Sequence, residues 1–216
     1  MQEQLLRAIG ECGVVAIIRR VPPPAAERIA AALWAGGLPL VEITMDSEDA
    51  PGVIARLIRD SEAGSFVGAG TVLDTAAARE AIAAGAHFLV APNLDHGVVE
   101  TGLRYGRVVI PGVLTPTEIV TALQAGAQIV KVFPAGSLGP EYIRQVRAPL
   151  PQAKIMATGG VSADNAGDFI RAGAFAVGLG GKLVDARAAA EGRYEAITAA
   201  AAAVLAAVRS ARPASG

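Results

Sequence analysis

"QAGAQIVKVF", residues 124–133, joins an Ala–Gly pair directly to a run of apolar, largely β-branched residues. Glycine commonly ends a helix, and such a run is a candidate strand, so these ten residues read as a helix stop, a short turn and a strand. The element recurs as "WAGGLPLVEI" (34–43), "AAGAHFLVAP" (83–92) and "RAGAFAVGLG" (171–180). Self-similarity of this kind predicts repeated βα units. Eight strand-type runs follow in order: "VVAIIR" (14–19), "LVEITM" (40–45), "FVGAGTV" (66–72), "FLVAPN" (88–93), "RVVIPGV" (107–113), "IVKVFP" (129–134), "KIMATGG" (154–160) and "AVGLGG" (176–181). Ala-rich amphipathic stretches separate them. "PPAAERIAAALWAGG" opens on prolines suited to a first helical turn and stops at Gly36 and Gly37. "DTAAAREAIAAGA" offers Asp74 or Thr75 as an N-cap and Gly85 as a stop.

Nearly continuous apolar strands belong to a parallel sheet covered on both faces. Eight units in 216 residues average about 27 residues each, near the lower end for a (β/α)8, or TIM, barrel. A doubly wound open sheet would more often carry GxGxxG after its first strand, and "IIRRVPPP" has none. The expectation is an α/β fold, one (β/α)8 barrel domain over 1–216. A helix at about 1–13 precedes the first strand, a closing helix runs from about 186 to 209, and a frayed tail covers 210–216.

Composition narrows the partners. At 52% hydrophobic and 18% charged, the chain is globular rather than disordered. A net charge of −1 gives no general attraction for nucleic acid or anionic membranes, so an anion site must be local. The single cysteine, Cys12, excludes an intrachain disulfide framework and Cys-rich metal clusters. No signal peptide is visible in "MQEQLLRAIGECG", and no apolar run approaches the roughly 18 residues that span a bilayer. A cytoplasmic protein acting on a small molecule is expected.

In a barrel of this type, catalytic groups stand at the carboxyl ends of the strands. Those ends collect Arg19, Glu42 with Thr44, Thr71, Pro92 with Asn93, Pro111, Lys131 with Phe133, Thr158 with Gly159 and Gly160, and Gly180 with Gly181. Side chains alternate along a strand, so Ile129, Lys131 and Phe133 share one face, and Leu40, Glu42 and Thr44 share another. Lys131 would then point into the barrel mouth, with the Glu42 carboxylate in the same cavity. A buried ammonium is costly unless paired or deprotonated, and desolvation or a nearby cation such as Arg19 favours the nucleophilic amine. An amine beside a carboxylate acid/base suffices for Schiff-base chemistry on a ketone. The same two residues also fit an ordinary buried ion pair.

"TGG" (158–160) and "GLGG" (178–181) end the seventh and eighth strands, where barrels often bind phosphate through backbone N–H groups. Tight turns alone would also use these glycines, and "GAG" (68–70) reads as easing packing in a narrow barrel. His87 and His96 lack metal-ligand spacing and read as satisfied or solvated loop residues. Cys12 and Trp34 read as packing. No serine elbow or Walker loop is present.

The motifs "VEIT", "GAGTVLD", "APNL", "IPGVLTPTE", "VKVFPAGSLGP" and "ATGGVS" resemble the class I aldolases of 2-keto-3-deoxy-6-phosphogluconate and 4-hydroxy-2-oxoglutarate, in order from Val14 to Val184. The resemblance implies that Lys131 forms the Schiff base and Glu42 moves protons. It implies a pyruvate pocket lined by Thr71, Pro92, Phe133 and Thr158, a phosphate near Gly160, Gly180 and Gly181, no cofactor or metal, and a homotrimer. Two positions depart from the pattern. Asp46 stands where the phosphogluconate enzymes commonly carry arginine, a place uncharged in relatives acting on the phosphogalactonate epimer, and "GGK" (180–182) replaces a family serine. A phosphosugar isomerase or epimerase with Glu42 as base, and a non-catalytic metabolite-binding barrel, remain open on the residues alone.

Overall fold

The computed structural model describes residues 1–61 and 63–212. Among these, nine parallel strands form one sheet in the order β5-β4-β3-β2-β1-β9-β8-β7-β6. They are β1 (Val14–Ile18), β2 (Leu40–Thr44), β3 (Phe66–Gly70), β4 (Phe88–Val90), β5 (Val108–Ile110), β6 (Gly112–Val113), β7 (Val130–Val132), β8 (Ile155–Thr158) and β9 (Ala176–Leu179). All eight expected runs are strands, and the fifth is divided at Pro111. Proline has no N–H to give a ladder. On one side of it Ala91 N–H donates to the Ile110 carbonyl (3.2 Å), and on the other Lys131 N–H donates to the Pro111 carbonyl (2.8 Å). The two ends of the sheet are thus halves of one strand, and the sheet closes into a barrel beside Lys131.

Helices wrap the outside. α1 (Gln2–Cys12) precedes β1, and α2 (Pro23–Ala35), α3 (Ala50–Asp60), α4 (Thr75–Ala83), α5 (His96–Arg104), α6 (Pro116–Gln124), α7 (Gly139–Arg147) and α8 (Ala163–Arg171) follow successive strands. Asp74 caps α4, its carboxylate accepting from Ala77 N–H at 2.8 Å. In "LTPTE", Glu118 accepts from the N–H groups of Leu114 (2.8 Å) and Thr115 (2.7 Å), a capping box that starts α6.

The closing segment differs from the expected single helix. It is α9 (Ala186–Ala190) and α10 (Tyr194–Ala211), separated at Gly192, whose φ of 74° is the left-handed conformation that glycine admits without strain. The tail expected to fray from 210 is tied down at its start: α10 continues to Ala211, and Arg212 Nη1 donates to the Glu11 carbonyl at 2.6 Å. Residues 213–216 lie outside the described residues. α10 also corrects the hydropathy reading, since its 18 residues, at a mean hydropathy of 1.2, are long and apolar enough to cross a membrane by length and composition. It buries Ile197, Ala201, Val204, Leu205 and Val208 along one stripe, the pattern of a helix packed on a core. Among the described residues outside this helix, none is long and apolar enough to span a bilayer.

Candidate active site

The core is almost wholly apolar, and Glu42 (1% exposed), Thr44, Lys131 (6%) and Thr158 are its buried polar residues. Thr44 and Thr158 end β2 and β8, while Glu42 and Lys131 are the middle residues of β2 and β7. All four line one cavity of about 480 Å³, together with Ile17, Arg19, Thr71, Pro92, Phe133, Gly159, Gly160, Gly180, Gly181 and Lys182. Every strand-end candidate named from the sequence except Asn93 and Pro111 therefore meets in one place. Larger hollows, of about 740 and 1050 Å³, lie elsewhere on the barrel, but neither holds a buried amine facing a buried carboxylate. Chemistry rather than volume selects the site.

The ion-pair alternative for Lys131 and Glu42 is absent: among the described residues no salt bridge within 4.0 Å joins them. The Lys131 ammonium nitrogen lies 5.0 Å from the centre of the Phe133 ring, within cation–π range. Burial pushes the Glu42 carboxyl above the usual glutamate range, against the opposing charges of Lys131 and Arg19. Glu42 Oε2 and Thr158 Oγ1 are buried without a hydrogen-bond partner. A native interior rarely leaves such atoms unpaired unless a ligand or water serves them.

Two glycines make room for these side chains, Gly70 from the run expected to ease barrel packing and Gly178 from the run expected to bind phosphate or make a tight turn. A Cβ on Gly70 would lie 1.7 Å from Glu42 Oε1, so the last glycine of "GAG" is the space the carboxylate occupies. Gly68, its neighbour in the motif, makes room for the Phe88 ring, as packing would require. A Cβ on Gly178 would lie 2.5 Å from Thr158 Oγ1. The β8 turn is pinned by Asn165, whose Nδ2 donates to the Gly160 carbonyl at 3.0 Å, and by Gly136 N–H, which donates to the Gly159 carbonyl at 2.6 Å. Thr71 has φ of 54°, a strained conformation for a β-branched residue at the edge of this cavity. Ile17 was not among the candidates, although the parity that aims Arg19 inward aims it inward too. His87 is a satisfied residue, its Nδ1 accepting from Val67 N–H at 3.0 Å, and His96 is exposed.

Asp46 explains part of its departure from the family pattern. Its Oδ2 is paired with Arg19 Nη2 at 2.9 Å and Arg20 Nε at 2.8 Å.

A family profile described as KDPG and KHG aldolase matches residues 6–200. The chain belongs to that family. Membership places it among the aldolases, which are carbon–carbon lyases. It is 39% identical over 171 residues to a probable 2-dehydro-3-deoxy-6-phosphogalactonate aldolase of Rhizobium meliloti, covering 79% of this chain and 81% of that protein. A solved structure described as native KDPGal superposes with a TM-score of 0.85 at 34% identity, over 92% of this chain and 95% of the other. A KDPG aldolase from Legionella pneumophila, with pyruvate captured at low pH as a covalent carbinolamine intermediate, gives a TM-score of 0.84 at 27% identity, over 92% and 97%. The barrel and the family expected from the sequence motifs stand.

Proposed function

We propose that this family member is a Schiff-base-forming aldolase that cleaves a 2-keto-3-deoxy-6-phospho sugar acid to pyruvate and glyceraldehyde 3-phosphate, and 4-hydroxy-2-oxoglutarate to pyruvate and glyoxylate. The observation that carries the reading is the buried Lys131 amine sharing one cavity with a buried Glu42 carboxylate to which it is not ion-paired. Lys131 attacks the C2 ketone to give a carbinolamine, and loss of water gives the iminium. Glu42 takes the C4 hydroxyl proton as the C3–C4 bond breaks, and the bonding electrons flow into the iminium to form an enamine. The aldehyde leaves, C3 is protonated, and water hydrolyses the iminium to release pyruvate and free Lys131. The iminium is the electron sink, so these steps call for no metal or cofactor.

Thr71, Pro92, Phe133 and Thr158 surround the pyruvyl part, and the glycines at 159–160 and 180–181 take the phosphate through backbone N–H groups. The reading carries with it the homotrimer implied by the family resemblance and the cytoplasmic location expected from the sequence. Two relatives bear phosphogalactonate names and Asp46 replaces the common arginine, which favours that epimer as a second reading. The epimers differ at C4, the carbon that becomes the aldehyde, so both yield the same products. Comparing kcat/KM for the two epimers decides between them.

Gly70→Ala tests the placement of Glu42. The added methyl claims the carboxylate's space, so turnover should fall by roughly 10- to 100-fold, as for other misplaced catalytic groups. Turnover within twofold of the parent would mean that Glu42 reacts from another position. Gly181→Val tests the phosphate end. An added Cβ there meets nothing within 4 Å, so the fold should tolerate it. KM for the phosphorylated substrate should rise much more than KM for 4-hydroxy-2-oxoglutarate, which has no phosphate. An equal change in both, in a variant of parental Tm, would move the phosphate elsewhere.

A further inference from the structure

We propose that Asp46 is a positioning residue that holds the Arg19 guanidinium at the cavity mouth as the binding group for the carboxylate of the 2-oxo acid; this rests on the aldolase reading above. Arginine is a long side chain with many rotamers, and a half-exposed one at a strand end is poorly placed unless something fixes it. Here Asp46 fixes two. Its Oδ2 pairs with Arg19 Nη2 at 2.9 Å and with Arg20 Nε at 2.8 Å. The carboxyl of Asp46 feels some burial, which would raise it, but hydrogen bonds from Thr44 and Arg19 and the charges of both arginines hold it below the usual aspartate value.

The clamp is anchored in the cavity wall. Arg20 N–H donates to Ser47 Oγ at 2.9 Å, and Ser47 Oγ is 3.0 Å from Oγ1 of the buried Thr44, two residues beyond Glu42. Arg20 takes a left-handed φ of 51°, a conformation that persists when its surroundings over-determine it. The loop after β1 is thereby locked to the loop after β2.

Three physical features make Arg19 a carboxylate site. It spends one nitrogen on Asp46, and its planar fork keeps other N–H donors for an incoming carboxylate. Two guanidinium charges against one carboxylate leave the cluster with one net positive charge, so Arg20 prevents Asp46 from cancelling the attraction. Arg19 lines the cavity and its charge acts on Glu42, which places it on the reacting side. The glycine loops and Lys182, at the ends of β8 and β9, suit the tetrahedral phosphate instead.

Pyruvate carries a carboxylate and no phosphate, so it isolates this contact. The measurement is the pyruvate concentration that half-saturates borohydride trapping on Lys131. Asp46→Asn should raise it about tenfold, as expected for losing a well-aimed charged hydrogen bond, while saturating pyruvate still labels Lys131. Asp46→Glu should restore most of the parental value, and Asp46→Asn should add nothing in an Arg19→Met background. An unchanged or lower half-saturating concentration in Asp46→Asn, or effects that add in the double variant, would overturn the proposal. If the parent protein traps no pyruvate, the aldolase reading falls and takes this with it; if the parent traps and Asp46→Asn behaves as the parent, this proposal alone falls.

Discussion

Treatment with pyruvate and borohydride should add one reduced pyruvyl group to the protein, on Lys131, and abolish turnover. The chain has three lysines: Lys131, Lys154 and Lys182. Lys154 precedes β8, at the opposite end of the barrel, and stacks on Phe175 at 5.4 Å. Lys182 lines the same cavity as Lys131, so the label must be located by peptide mass and not by stoichiometry alone. Lys131 is the buried one of this pair, on a strand held on both sides by parallel neighbours, which fixes its direction of attack. Lys131→Arg keeps the charge but cannot form this imine, so it should lose both the adduct and measurable turnover. An adduct on Lys182, or none in the parent protein, would remove the Schiff base from the mechanism.

Glu42→Gln should lower turnover by roughly 10²–10⁴-fold, because it keeps the shape and hydrogen-bonding reach of the side chain but removes the proton acceptor. Slow adduct formation with pyruvate should persist. The same variant should be more heat-stable than the parent near neutral pH. Burial raises Glu42, so the folded protein retains this proton to higher pH than the unfolded chain does. Between the two pKa values the folded state binds more protons, and stability falls as pH rises through that window. Below the ordinary glutamate pKa of about 4.3 both states are protonated and the penalty disappears. The Tm advantage of Glu42→Gln should therefore shrink as pH is lowered toward 4. The acidic limb of kcat/KM in the parent, which reports ionisation of the base, should lie above the ordinary glutamate range. Turnover within a few-fold of the parent would place the acid/base role elsewhere, and a variant less stable than the parent at neutral pH would mean that burial does not raise the Glu42 carboxyl.

The sequence by itself determined the barrel, because the information is local and repeated. Helix-ending glycines, apolar runs of strand length and a period of two are read from neighbours along the chain, and eight repetitions outweigh ambiguity in any one of them. The same parity put Lys131 and Glu42 on inward faces. What it could not determine is distance. Whether Lys131 and Glu42 form an ion pair or stand apart depends on strand tilt and register across a barrel, and these arise only when the sheet closes at Pro111. Gly70 shows the same limit: in the chain it is a small residue in a strand, and only pairing with β2 reveals that the missing side chain is the volume Glu42 fills. Asp46 lies 26 and 27 residues from its arginine partners, so nothing in its own neighbourhood announces them. Its pairing was decided by the tertiary structure, because adjacent parallel strands bring two loops that are distant in sequence to the same end of the barrel, where a carboxylate and two guanidinium groups meet at hydrogen-bond range.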